Sequence, residues 1–176
     1  MIKDSGERRQ FDTGAVRDIQ EGKGRCDLLP LDVLSDIYFF WESDDERERH
    51  GLVLGTINSF MKTNETDFLV EALENFLLSE NMFDGKWATM FLEVSKHFEE
   101  GAKKYGEYNW QKGIPTHCYI DSAVRHYLKW IRGDKDEPHD RAFVWNILCC
   151  IWTCKHKPEL NDYKKGTRGN ESIKFI

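Results

Sequence analysis

Residues 67–78 read DFLVEALENFLL, and the apolar members Phe68, Leu69, Ala72, Leu73, Phe76 and Leu77 recur at spacings of three and four. That is the period of an α-helix with one buried stripe. Upstream, Asp27 precedes LLP and the apolar run Leu31–Trp41, and Ser43 with Glu46 forms a capping-box pattern ahead of Leu52–Phe60, so both read as helix starts. Downstream, a helix is expected over Lys86–Tyr105 with Gly106 as its stop, followed by a turn-rich connection over Asn109–Pro115. A helix over Asp121–Arg132 then closes at Gly133, and a last one runs from Pro138 to about Cys154. No run shows strand alternation. Residues 1–26 and 155–176 are rich in Gly, Lys, Arg and Asp and read as a flexible N-terminal arm and C-terminal tail. The expected fold is all-α, a helical bundle of about five to six helices forming a single domain over 1–176.

The composition narrows the function. With 25 Lys plus Arg against 31 Asp plus Glu, the 176-residue chain carries a net charge of −6, distributed in both signs. Such a balance argues against coating nucleic acid or an anionic membrane, and a site for polyanions would need a divalent cation. No stretch approaches the roughly 20 apolar residues of a membrane helix, and MIKDSGERRQ lacks the apolar segment of a secretory signal, so a cytoplasmic location is expected. Five cysteines, three of them crowded at 149, 150 and 154, do not form an extracellular disulfide framework and read as reduced thiols.

Three segments carry candidate chemistry. At about 100° per residue, Glu93, His97, Glu100 and Lys104 stack on one polar face, where two carboxylates and an imidazole could hold a hard cation and Lys103 and Lys104 could meet phosphate. The competing reading is a solvated face of internal ion pairs. Asn109 and Trp110, at the end of this stretch, suit a nucleobase. On the next helix Asp121, Arg125 and Lys129 share a side while His126 lies about 140° from Asp121; Asp121 is either a metal ligand or Arg125's i to i+4 partner. On the last helix His139 and Asn146 share a face, and Glu137 with Asp140 are either ligands or first-turn carboxylates favourable to the helix dipole. Cys150, Cys154 and His156 lack a fourth zinc ligand and the close CysXXCys spacing.

Taken together, SGERRQFDTGAVRDIQEGKGRCDLLP, GAKKYGEYNW and DSAVRHYLKW with the later Trp145-Asn146 pair resemble phage dATP/dGTP diphosphohydrolases of the MazZ type, grouped with the MazG-like all-α nucleotide pyrophosphatases. The resemblance runs from Ser5 to about Thr153, and residues 42–85 carry little of it. It implies a Mg²⁺- or Mn²⁺-dependent cut between the α and β phosphates of dGTP or dATP, in phages whose DNA carries 2-aminoadenine, by a homo-oligomer (dimer or tetramer) in the host cytoplasm. By the resemblance, the matching substrate-binding positions are Lys104, Tyr105, Asn109, Trp110, Arg125, Asn146, Arg17 and Arg25, with Asp18 and Asp27 as further N-terminal matches; Lys103 joins them from its place on the helix. Of the matches, Glu93, Asp121 and His126 would be catalytic, and Glu93, Asp121 and His139 would be metal ligands, to which the spacing of the helices adds Glu100, Glu137 and Asp140 as candidates. One departure stands out: MazG-like enzymes pair GluXXGlu with a GluXXAsp a short distance on, whereas here Glu71 and Glu74 are followed by Glu137 and Asp140 only far downstream. Either the cage is assembled differently, or Glu71 and Glu74 are surface residues.

Two rivals remain at this level. An HD-type triphosphohydrolase would use the adjacent His139 and Asp140 with His97 or His126 upstream and Asp162 downstream, releasing tripolyphosphate. A non-catalytic interaction module would present Phe39, Phe40, Trp41 and the cysteine-bearing helix to a partner.

Overall fold

The computed structural model describes residues 8–18, 45–79 and 86–163. The expected helix start at Asp27 with the run Leu31–Trp41, and Ser43, lie outside them. Five α-helices are described: α1 (Asp45–Thr63), α2 (Asp67–Ser79), α3 (Lys86–Tyr105), α4 (Thr116–Arg132) and α5 (His139–His156). The all-α expectation holds. A short antiparallel hairpin, β1 (Arg8–Gln10) and β2 (Val16–Asp18), with Arg9 opposite Arg17, corrects the reading of residues 8–18 as a plain arm. Three-residue strands are too short to display a period of two, and what fixes them lies elsewhere in the chain.

α2 buries the stripe that predicted it: Leu69, Ala72, Leu73 and Phe76 are buried, while Glu71 and Glu74 are exposed. The first half of the MazG-type pattern is therefore a solvent face. α5 is the central helix, packed along α4 and against α3 and α2, and its Phe143, Ile147, Cys149 and Cys150 are fully buried. Phe76 and Tyr127 meet Phe143 with ring centroids 4.8 and 5.2 Å apart, and Tyr127 bonds the buried His50 at 2.6 Å. Full burial of aromatics of this size, at roughly 25 cal/mol per Å² of apolar surface, gives the core most of its stabilisation. Cys149 and Cys150 are core thiols whose acidity burial suppresses. Nor do Cys150, Cys154 and His156 converge: His156 is exposed, stacked 4.4 Å over Trp152, and Cys154 accepts from Asn161.

α4 begins five residues before the expected Asp121. Pro115 precedes it and offers no capping side chain. The carboxylate of Asp162 caps it instead, accepting from the His117 N–H at 3.0 Å and the Thr116 hydroxyl at 2.7 Å, so an anion from the tail answers the unpaired donors and positive end of the helix. The tail near Asp162 is thus docked, with Tyr163 buried against Phe60 at 5.7 Å. Asp162 also binds the His117 ring. That bond raises the His117 pKa from 6.5 to about 9 and, against the opposing effect of its burial, lowers the Asp162 carboxyl below 3.8.

A group raised in the folded state stabilises fully below its unfolded pKa and loses that contribution as pH rises through the folded value; a depressed carboxyl does the reverse. The His117 contribution is therefore complete below pH 6.5 and gone above about 9, and the Asp162 contribution is lost as pH falls below about 3.8. Urea midpoints should fall between pH 6.5 and 9, and His117→Gln should remove that slope; an equally steep slope in the variant refutes the assignment.

Gly113 ends the connection into α4 with φ at +97°, and a β-carbon there would lie 2.3 Å from Leu160 Cδ1. Gly113→Ala meets both a left-handed backbone and a side chain in the way, and is expected to lower stability by about 1–3 kcal/mol, read by urea denaturation.

Candidate active site

The hairpin is fastened to the helices by side chains. Asn109 accepts from the Val16 N–H at 3.1 Å and donates to the Val16 carbonyl at 3.0 Å, imitating the next strand of the ladder. Asp18 receives the Lys104 ammonium at 2.9 Å and the Tyr105 hydroxyl at 2.8 Å, and Arg17 donates to Asn146 at 2.7 Å. Thr13 adds a bond to the Gly113 carbonyl at 2.6 Å. The tight turn at Gly14, φ +79°, allows this approach.

Between the hairpin, the end of α3, the 3₁₀ turn Asn109–Lys112, α4 and α5 lies a cleft of about 910 Å³. Arg9, Arg17, Arg125 and Lys129 line it together with Asp18, Glu99, Glu107, Asp121, Asp136 and Glu137, and Phe98, Trp110 and Trp145 give it an aromatic wall. Arg125 is aimed by Asp121, which accepts at 2.8 Å and is 2% exposed, and by Ser122 at 3.1 Å. A paired, oriented guanidinium loses little entropy when it meets a phosphate.

At one end of the cleft α4 and the turn before α5 converge. His126 Nδ1 lies 2.9 Å from His139 Nδ1, and Glu137 Oε1 lies 3.7 Å from each. Three ligands about 2.1 Å from one cation at tetrahedral or octahedral angles are roughly 3.0–3.4 Å apart, so the imidazole edge is close to that of a coordination face and a small shift of Glu137 would bring in the other two. Burial holds His126 far below its usual pKa, with Arg125 and His139 adding to the shift, and so keeps a lone pair for a metal. Asp136 accepts from His139 Nε2 at 2.9 Å, the outer carboxylate that orients a ligating imidazole, and that bond lowers the Asp136 carboxyl to about 2. The donor set fits a divalent cation; two imidazoles suit Mn²⁺ better than Mg²⁺.

Among the lining residues, buried side-chain nitrogens are left without hydrogen-bond partners among the described residues. These are Arg17 Nη1, His97 Nδ1 and Trp145 Nε1. Each would ordinarily cost about 1–3 kcal/mol.

Comparison with known proteins bears on this cleft. Residues 81–163 match the family model described as dATP/dGTP diphosphohydrolase, N-terminal. This region is similar to that family over 83 of the 176 residues. No curated protein and no solved structure gave a match. The region that matches the diphosphohydrolase model spans α3 to Tyr163 and holds the whole His126–Glu137–His139 triangle, while the hairpin that brings Arg9 and Arg17 lies outside it.

The expected site residues separate into two groups. His126, His139 and Glu137 are brought together, and Arg125, Asp121, Tyr105, Asn109, Trp110, Asn146 and Arg17 line the same cleft. Glu93, Glu100, Asp140, Lys103 and Lys104 are not among its lining residues. Glu93 pairs with Lys96 and lies 3.9 Å from Arg141; Glu100 grips the buried Arg141 through both oxygens at 2.9 Å. These two carboxylates neutralise Arg141, a guanidinium 4% exposed. Lys103 pairs with Glu99 on the surface, and Lys104 is held by Asp18. Asn109 binds backbone rather than open space. Arg25 and Asp27 lie outside the described residues. The sequence reading missed Asp136, whose position three residues before His139 was the available signal, and placed the orphaned His97 on the polar face of α3.

The HD-type set is not assembled. Asp162 sits at the first turn of α4, nine residues and about 14 Å along the helix from His126.

Proposed function

We propose that the cleft hydrolyses dGTP and dATP between the α and β phosphates, with a divalent cation held by His126, Glu137 and His139. Water oxygen bonds to the α phosphorus, the bridge to the β phosphate breaks, and a deoxynucleoside monophosphate and pyrophosphate leave. What supports this reading is the group of two imidazoles and a carboxylate, at 2.9, 3.7 and 3.7 Å, beside an aromatic-walled cleft in which Arg9, Arg17, Arg125 and Lys129 stand among six carboxylates. The family name supports the substrate.

A bound cation would supply Lewis-acid polarisation of the phosphate and lower the pKa of its water. The chain supplies the rest. Arg125, fixed by Asp121 and Ser122, and Lys129 on the next turn face the cleft on the side of the triangle and neutralise phosphate oxygens. Arg9 and Arg17 add charge from the hairpin opposite. Asp136 holds the His139 ring in one orientation. Pyrophosphate release from an acidic chain is reasonable because the bound cation reverses the local field.

By the same resemblance the reaction belongs to phage purine metabolism supplying 2-aminoadenine DNA, in the host cytoplasm and in a homo-oligomer. No described helix is long and apolar enough to cross a membrane. The test is to incubate the protein with each deoxynucleoside triphosphate and Mg²⁺ or Mn²⁺ and separate the products by anion exchange. Pyrophosphate with dGMP or dAMP, faster with Mn²⁺, is the expected result. Tripolyphosphate would favour the HD-type chemistry, and no turnover would favour an interaction module.

A further inference from the structure

We propose that the tail segment 157–163 is a positioning element for the cleft: docked on the helices, it backs Gly113 and, through the Gly113 carbonyl and Thr13, holds the hairpin that carries Arg9 and Arg17. The kinetic readout of this coupling rests on the nucleotide reading of the cleft, and the structural readout does not.

The tail is tied down at its far end. The Asp162 carboxylate accepts from the Thr116 hydroxyl and the His117 N–H, and the Asp162 N–H returns a bond to Thr116 Oγ1 at 3.2 Å. Asn161, 4% exposed, donates to Cys154 Sγ at 3.2 Å and to Asn64 Oδ1, and its own Oδ1 accepts from the Tyr163 N–H at 3.2 Å. These bonds reach α4, α5 and the residue that follows α1. So anchored, the tail lies against the connection into α4. A β-carbon at Gly113 would stand 2.3 Å from Leu160 Cδ1 and 2.7 Å from Lys157 Cδ, which leaves room there for glycine alone.

The same residue meets the hairpin. Its carbonyl accepts the Thr13 hydroxyl at 2.6 Å across 100 residues of sequence. Asn109, four residues earlier, holds the Val16 backbone at both ends. The connection between these two points is a four-residue 3₁₀ turn bracketed by left-handed Tyr108, φ +56°, and Gly113, φ +97°. Short 3₁₀ turns have poor hydrogen-bond geometry, and left-handed residues persist where their surroundings over-determine them. The packed tail supplies that constraint at Gly113. Gly113 thus does two things at once: its positive φ aims the carbonyl at Thr13, and its missing side chain admits Leu160. Arg9 and Arg17 face the cleft as fixed charges only while the strands beneath them are fixed, and a fixed charge loses less freedom on meeting an anion. Loosening the tail should therefore weaken binding more than chemistry, because His126, Glu137 and His139 stand on other elements.

The test compares three proteins with wild type. Leu160→Ala empties the space over Gly113 and spares the Asp162 cap, Thr13→Val removes an exposed hydroxyl, and the third protein carries both. Hydrogen–deuterium exchange of the full chain, read by mass spectrometry, should show residues 8–18 exchanging about tenfold faster in each single variant, with residues 116–132 unchanged. Adding Leu160→Ala to Thr13→Val should accelerate them by less than about twofold more, since both act through one bond. The KM for dGTP should rise about threefold to tenfold in each variant, with kcat within about twofold of wild type. Leu160→Met, which refills the space, should restore both readings. If Leu160→Ala lowers protection over residues 116–132, Leu160→Val, a smaller truncation, carries the comparison. Unchanged exchange at residues 8–18 after truncation of Leu160, effects that multiply in the double variant, or a Met variant as loose as the Ala variant overturns the proposal. Faster hairpin exchange without turnover of any nucleotide would retain the coupling and reject the diphosphohydrolase; turnover with hairpin exchange unmoved would do the reverse.

Discussion

Replacing His139 by alanine should reduce metal-dependent hydrolysis by about a thousandfold, the effect of removing several kcal/mol of charge stabilisation from the transition state. The argument is geometric. His139 Nδ1 faces His126 at 2.9 Å and Glu137 at 3.7 Å while Nε2 is anchored to Asp136, so deleting this ring removes one donor and the support of the other two. Mn²⁺ affinity, followed by calorimetry, should fall with activity while helical circular dichroism is retained. Glu93→Gln is the informative contrast. The sequence points to Glu93 as a ligand, but its carboxylate pairs with Lys96 and Arg141 and does not line the cleft, so this variant should keep near-normal turnover. A dead Glu93→Gln beside an active His139→Ala would move the metal centre to the opposite face of α3.

The difference between those two readings shows what a sequence conveys and where it stops. Helical angles place residues correctly within one helix: Asp121 and Arg125 do pair, and Lys86–Tyr105 is recovered with its stop at Gly106. The same arithmetic cannot cross a turn. His126 and His139 belong to different helices, and only the fold-back over Gly133–Pro138, with Gly133 left-handed at φ +84°, sets their ring nitrogens face to face. Polar periodicity on α3 likewise could not reveal that Glu100 has a buried arginine from α5 to neutralise. The start of α4 was legible in principle, because Pro115 is a common residue just before or within a first turn. Its cap, Asp162, arrives from the tail and has no local signature. The hairpin was hidden for the same reason: its third partner is the side chain of Asn109, in a distant turn.

Asn109→Ala should therefore act on the hairpin and through it on substrate binding. The substitution removes both bonds to the Val16 backbone and leaves a buried N–H and carbonyl unmet, a loss of about 1–3 kcal/mol concentrated on residues 8–18. The remaining ties, Asp18 to Lys104 and Tyr105, Arg17 to Asn146 and the Thr13 hydroxyl to the Gly113 carbonyl, run through side chains of the hairpin rather than its strand backbone. Without the backbone tie, Arg9 and Arg17 would no longer be presented to the cleft as fixed charges. The KM for dGTP should rise about tenfold to a hundredfold with a smaller change in kcat, because the His126–Glu137–His139 triangle lies on other elements. Limited proteolysis should then cut within residues 8–18 first. Asn109→Asp, which keeps the acceptor for the Val16 N–H and loses the donor to its carbonyl, should fall between wild type and Ala. Were Asn109 instead a reader of the base, as its place beside Trp110 suggests from sequence, the Ala variant would change the ratio of dGTP to dATP turnover and leave the hairpin as resistant to protease as before.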